Sequence, residues 1–178
     1  MNTLKRNLLA AALLFALAPA LLAADTEGVQ VPIPQKHRVF NYTGVQCVWA
    51  SLETLARYHA IPAAKRLTRD HGGPATPEDI QAALNALDVK YILVTPGGRR
   101  RTDILKEACA KGWGAGVVLV PAIGPEGRER GPHMITCVHY KDGMVKVIDN
   151  LDEELRIQTW TEEEFLGLWD GWMVVLYK

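Results

Sequence analysis

The chain has 178 residues, with 20 basic and 20 acidic side chains, 15 glycines and 10 prolines, and 48% of its residues are hydrophobic. That composition excludes intrinsic disorder and collagen-like repeats. The only basic run is residues 99–101 (Arg-Arg-Arg), which argues against nucleic acid as a general partner, because phosphate binding requires a concentrated positive surface.

Residues 1–24 read as a secretory signal peptide rather than as fold. Lys5 and Arg6 give a short basic start, an apolar run follows over 8–18, and small residues stand at Ala20, Ala23 and Ala24 after Pro19. The run is shorter than the roughly 20 apolar residues of a membrane span. Cleavage after Ala23 or Ala24 is expected, giving an exported chain, periplasmic or secreted, with no stable membrane span. An uncleaved anchor is the alternative. Losing Lys5 and Arg6 leaves 18 basic against 20 acidic groups, a net −2. Residues 25–178 are of a length that forms one domain with a real core.

Residues 25–40 are expected to be extended, since Pro32 and Pro34 forbid a helix. Val48, Leu52, Leu55 and His59 then recur at helical spacing, with Trp49 and Ala56 widening the stripe. This predicts an amphipathic helix starting near Gln46, buried along one face and ended by Pro62. A short helix is predicted over 63–71. Thr76-Pro77-Glu78-Asp79 is a helix start, with a hydroxyl cap, a proline at the first position and acids on the positive end of the dipole. A strand is predicted over 89–95, a turn over 96–98, and a helix capped by Thr102 through Lys111.

From there the pattern is mostly strand. Segments 116–121, 133–140, 144–150, 155–160 and 172–177 read as strands, with a loop over 122–132. Lys141-Asp142-Gly143 is a hairpin signal between the second and third of these. Thr161 and Glu164 stand as a capping box for a short helix through Trp169. Helices followed by antiparallel strands predict an α+β fold.

Three cysteines, Cys47, Cys109 and Cys137, are an odd number for an exported chain, so at most two pair within the molecule. No C-x-x-C or H-E-x-x-H spacing occurs, so no metal site is expected. Cys47 falls at the first turn of the buried helix, where unpaired backbone N–H groups and the helix dipole favour the thiolate. The same N–H groups suit a developing oxyanion. A cysteine nucleophile also needs a base and a group to orient it. His133 opens a strand, and Asp149-Asn150 closes its hairpin partner. Of the other histidines, His59 lies on the apolar stripe, and His37 and His71 read as loop residues. His139 is on the His133 strand but roughly 20 Å along it at about 3.3 Å per residue.

Cys47 followed by Trp49 and Ser51 resembles the nucleophile helix of papain-like cysteine peptidases. The closer resemblance is to the bacteriocin-processing (double-glycine leader) branch, carried by G-P-H-M-I-T-C-V-H-Y, V-K-V-I-D-N and the tail W-T-E-E-E-F-L-G-L-W-D-G-W-M-V-V-L. It covers nearly the whole chain after residue 24. It implies a papain-like fold and a Cys47–His133–Asp149 triad that hydrolyses a peptide or amide bond through a thioester, without a cofactor. The family's oxyanion glutamine, six residues before the nucleophile, is Asn41 here, and a glutamine stands instead at Gln46. Asn41 or Gln46 is therefore the expected oxyanion amide. The transporter segments of leader-processing exporters are absent, so the partner is expected to be a peptide or protein substrate of some other identity. Two rival readings share the resemblance: acyl transfer to an amine, as in transglutaminase-like relatives, and a peptide-binding module without turnover.

Hairpin register bears on the third residue. A two-residue Asp142-Gly143 turn pairs Lys141 with Met144 and sets Ile135 opposite Asn150, which then shares the His133 face. A three-residue loop with a bulge at Gly143 sets Ile135 opposite Asp149. Both suit the residues, and the resemblance favours Asp149. Cys109 and Cys137 are expected to be structural, and bonded to each other if their Cα atoms approach within about 7 Å.

Overall fold

The structure, a computed structural model, describes residues 28–97, 99–120 and 131–178. The signal-peptide segment 1–24 and most of the expected loop 122–132 lie outside the described residues. No helix among the described residues is long and apolar enough to cross a membrane.

The stripe at 48, 52 and 55 produces the helix its spacing predicts, α1 (Cys47–Tyr58), whose residues 47–56 are all buried. The expected helix over 63–71 is instead a 3-10 turn (Pro62–Ala64) followed by a single α turn, α2 (Leu67–Asp70). The other helices are α3 (Pro77–Ala86), α4 (Thr102–Ala110) and α5 (Glu162–Leu168). Capping boxes at Thr76/Asp79 and Thr161/Glu164 start α3 and α5, each satisfying backbone N–H groups that a helix start leaves open. The cap expected at Thr102 does not form. Arg101 occupies the cap position without a side-chain bond, and its guanidinium is paired with Asp103 at 2.7 and 2.9 Å.

Six strands, β1 (Lys90–Val94), β2 (Ala115–Leu119), β3 (His133–Lys141), β4 (Met144–Ile148), β5 (Ile157–Thr161) and β6 (Trp169–Tyr177), form one antiparallel sheet in the order β1-β6-β2-β3-β4-β5. β6 starts earlier than the sequence suggests and takes up Trp169, the residue expected to end the last helix. Gly114, at φ +68°, precedes β2 where a Cβ would stand 3.0 Å from the Cys137 carbonyl and 3.1 Å from Leu55, so only glycine fits.

Both faces of the sheet are covered. Leu52 and Leu55 of α1 pack with Val118, Met134, Val138 and Val174 on one face. Leu105 and Cys109 of α4, with Phe165 and Trp169, pack with Ile135, Cys137, Val145 and Met173 on the other. Burying each such side chain stabilises the fold by about 1.5–3 kcal/mol relative to leaving it in water.

The hairpin takes the two-residue turn. Lys141 pairs with Met144, and Asp142 and Gly143 both have positive φ, as a type I′ turn requires. The register does not continue unbroken, however. A β-bulge between Cys137 and His139 absorbs one residue of β3, so Cys137 faces Val147 and Thr136 faces Ile148. Continued, that register sets Ile135 opposite Asp149, the arrangement the sequence reading attached to the other turn. Turn and bulge together put Asp149 on the His133 side and Asn150 on the α1 side.

Candidate active site

Cys47 is the first residue of α1, and Gln46 before it provides no side-chain cap. The first-turn N–H groups are therefore directed at the thiol end of the helix rather than at a capping oxygen. Cys47 is 8% exposed, at the floor of a cleft of about 950 Å³. Gly44, Val45, Leu119, Leu151, Trp160 and Leu168 are among the residues that line the cleft.

His133, at the start of β3, lies between Cys47 and Asp149. Its Nε2 is 2.7 Å from Asp149 Oδ1, which leaves Nδ1 as the ring nitrogen for Cys47. Asp149 Oδ1 also accepts the Leu151 N–H at 2.9 Å, so the carboxylate is held by its own turn. Burial pushes the His133 imidazole down, but Asp149 and then Cys47 outweigh it and raise the ring to about 9. Burial likewise pushes the Cys47 thiol up. Hydrogen bonds from His133 and from the backbone at Met134 and Val48, with the His133 charge, outweigh that and hold it below its ordinary value. A lowered thiol beside a raised imidazole is the direction of shift that favours a thiolate next to an imidazolium.

The two expected oxyanion amides are placed differently. Gln46 Nε2 donates to the Thr68 and His71 carbonyls at 2.9 and 3.0 Å, tying the start of α1 to α2. Both of its N–H groups are thus committed. Asn41 is 2% exposed; its Oδ1 accepts the Gln46 N–H at 3.1 Å, and its Nδ2 is buried with no partner. The amide is fixed through its oxygen and keeps its donors.

Asn150 has a role the sequence reading did not assign. Its Nδ2 donates to the Cys47 carbonyl (3.0 Å), to Ser51 Oγ (2.9 Å) and to the Met134 carbonyl (2.8 Å). Its own carbonyl accepts the Asn41 N–H at 2.8 Å. Asn150 and Ser51 are polar residues where α1 meets the sheet, and a serine four residues after Cys47 inside an apolar stripe was the available signal for that tether.

The remaining candidates fall elsewhere. His59 Nε2 is 2.7 Å from the Trp113 carbonyl, a half-buried contact outside the core, and His71 stacks on Trp49 at 4.4 Å. His139 Nδ1 accepts the Gln30 N–H at 3.4 Å, well along β3 from the cleft. Cys109 and Cys137 are buried free thiols, their sulfurs 3.8 Å apart, in contact but not bonded.

No protein-family profile and no curated protein matches the sequence. Solved structures do share the fold. A protein from Bacillus anthracis described as a C39-like peptidase superposes with a TM-score of 0.59 at 14% identity, covering 82% of this chain and 96% of its own. The peptidase domain of Streptococcus mutans ComA gives 0.53 at 15%, covering 80% and 99%. A double-glycine-motif protease from an AMS/PCAT transporter, solved with its leader peptide, gives 0.55 at 13%, covering 78% and 88%. The fold is the papain-like α+β fold of C39 peptidases, in agreement with the resemblance read from the sequence.

Proposed function

We propose that the chain is a cysteine peptidase in which Cys47 is the nucleophile, His133 the proton carrier and Asp149 the residue that orients His133. The observation that carries this reading is His133 held at 2.7 Å by Asp149 while its other nitrogen serves a thiol at a helix start. The Cys47 thiolate attacks the carbonyl carbon of a peptide bond, forming a C–S bond and moving the carbonyl electron pair onto oxygen. Asn41 Nδ2–H and the Cys47 N–H are the donors to that oxyanion. Collapse breaks the C–N bond, and the departing amine takes the His133 proton. A water then gives a proton to His133 and attacks the thioester, releasing the acid and restoring the thiolate. None of these steps calls for a cofactor. The leader peptide bound to the AMS/PCAT protease supports a peptide as the substrate class. The same reading takes residues 1–24 as a cleaved signal and the chain as exported.

The test is hydrolysis of a peptide library by the protein lacking residues 1–24, read by mass spectrometry, with Cys47→Ala as control. Cleavage by the wild type but not by the variant is expected. Equal cleavage by both would refute the assignment.

A further inference from the structure

Uncompensated positive charge gathers beside α1, away from the cleft. A cavity of about 490 Å³ is lined by His37, Arg57, Pro62, Lys65 and Arg66. It adjoins a second of about 340 Å³, which shares Arg57, adds Arg69, Phe40 and Tyr42, and reaches Gln46, the neighbour of Cys47. Arg57 is paired with the buried Glu53, and Arg69 with Asp70. Lys36, Lys65 and Arg66 have no carboxylate partner among the described residues, in a chain whose basic and acidic totals are equal. His37 senses the concentration: burial, then Lys36, Lys65 and Arg57, push its imidazole down. Its Nδ1 is buried without a partner.

Compensation of the α1 dipole does not account for the cluster. Arg57 in the last turn of α1 meets that need, since the dipole acts only over the terminal turn. The others come from separate segments: Lys36 from the 3-10 turn before α1, and Lys65 and Arg66 from the turn after it. Like charges held together without partners cost stability, which a complementary anion recovers.

Resting on the peptidase reading, we propose that this groove docks an acidic stretch of the polypeptide substrate. Arg57 lies ten residues along α1 from Cys47, about 15 Å at 1.5 Å per residue. An extended peptide covers that distance in about five residues. The recognised carboxylates therefore lie about five or more residues from the scissile bond, with Tyr42, which is 88% exposed, along the way. A peptide is favoured over a nucleic acid because the groove reaches Gln46, the residue before a thiol whose chemistry acts on acyl groups, and because the cations form one cluster rather than a track following a phosphate backbone.

The test uses the chain without residues 1–24, carrying Cys47→Ala, and a fluorescein-labelled hexaglutamate peptide, with hexalysine and a Gly-Ser peptide as controls. Hexaglutamate is expected to bind at least about tenfold more tightly than Gly-Ser, to weaken as salt rises, and to lose about tenfold or more on Lys65→Glu/Arg66→Glu. In the active protein the same pair of changes should raise KM for acidic-tailed substrates and leave short neutral ones unaffected. No preference for hexaglutamate, or no effect of charge reversal, overturns the docking and leaves hydrolysis by Cys47 untouched. Equally tight binding of inorganic phosphate, or tighter binding of a single-stranded oligonucleotide, also overturns it. Acidic-peptide binding with no cleavage of any acidic-tailed peptide by a wild type that cleaves other peptides overturns the substrate role and leaves the peptidase reading standing.

Discussion

The side chain of Asn150 holds the carbonyl of Cys47 at 3.0 Å and, through the same nitrogen, the carbonyl of Met134, the residue after His133, at 2.8 Å. One amide therefore ties the first turn of α1 to the strand that bears the histidine, from the sheet face opposite Asp149. Asn150 touches neither the thiol nor the ring, so its role is positioning. Asn150→Ala removes these bonds and should cost about 2–4 kcal/mol of stability. Loss of stability alone would leave the Cys47 thiolate as it is. A positioning role instead predicts that, at a temperature where the variant is fully folded, the pH profile of Cys47 alkylation moves upward. An unmoved profile in a folded variant would limit Asn150 to stability.

The opposed shifts of Cys47 and His133 set an expected pH dependence. Activity rises as Cys47 loses its proton below the ordinary thiol value and falls as His133 loses its proton at about 9. The two groups interact, so the limbs of kcat/KM belong to the pair. The raised imidazole also contributes stability that is fully present below about pH 6.5, its unfolded value, and is lost as pH rises through about 9. An alkaline limb near pH 6.5 would mean that Asp149 does not hold the ring in solution.

Much of this was legible before any coordinates, and the gaps have physical causes. The stripe at Val48, Leu52 and Leu55 is one-sided and gave α1. The Thr161/Glu164 pair is a local pattern and gave the start of α5. The bulge near Val138 was not legible, because β3 is buried on both faces from Met134 to Tyr140. Where apolar residues fill both faces, alternation no longer reports which way a side chain points, and an extra residue leaves no mark. Turn chemistry alone, read correctly as Asp142-Gly143, would have put Asn150 with His133. The choice of Asp149 came from the resemblance and not from the register. Gln46 shows a different limit: sequence places an amide beside Cys47 but does not show that Thr68 and His71 engage it.

Reactivity among the three cysteines should separate sharply. Cys47 opens to the cleft with a lowered thiol, while hydrogen bonding to Cys137 and burial push the Cys109 thiol up. Iodoacetamide at pH 7 should label Cys47 first and leave Cys109 and Cys137 unmodified until the protein unfolds. Faster labelling of Cys109 or Cys137 in the folded protein would remove Cys47 as the activated thiol.

Expression of the full chain in a bacterial host should yield exported protein whose first residue is Ala24 or Asp25, read by N-terminal sequencing. A product beginning at Met1 in the membrane fraction would make residues 1–24 an anchor.

Asp149 acts on His133 by charge and by geometry, and two substitutions separate these. Its Oδ1 takes Nε2 at 2.7 Å and the Leu151 N–H at 2.9 Å, so one oxygen fixes both the ring and the turn. Asp149→Asn can keep that oxygen as an acceptor for both while removing the charge. The imidazole then loses an upward influence, and the alkaline limb of kcat/KM should move below about 9, with the ring still directed at Cys47. Asp149→Ala removes charge and acceptor together. The ring is freed to turn, and kcat/KM should fall by about 10²-fold or more, because proton transfer requires a positioned base. The expected order is wild type, then Asn, then Ala, with the Asn variant recovering part of its activity at lower pH. Equal losses in the two variants would assign the role to charge alone, and an active Ala variant would remove Asp149 from the mechanism while leaving Cys47 and His133 in place.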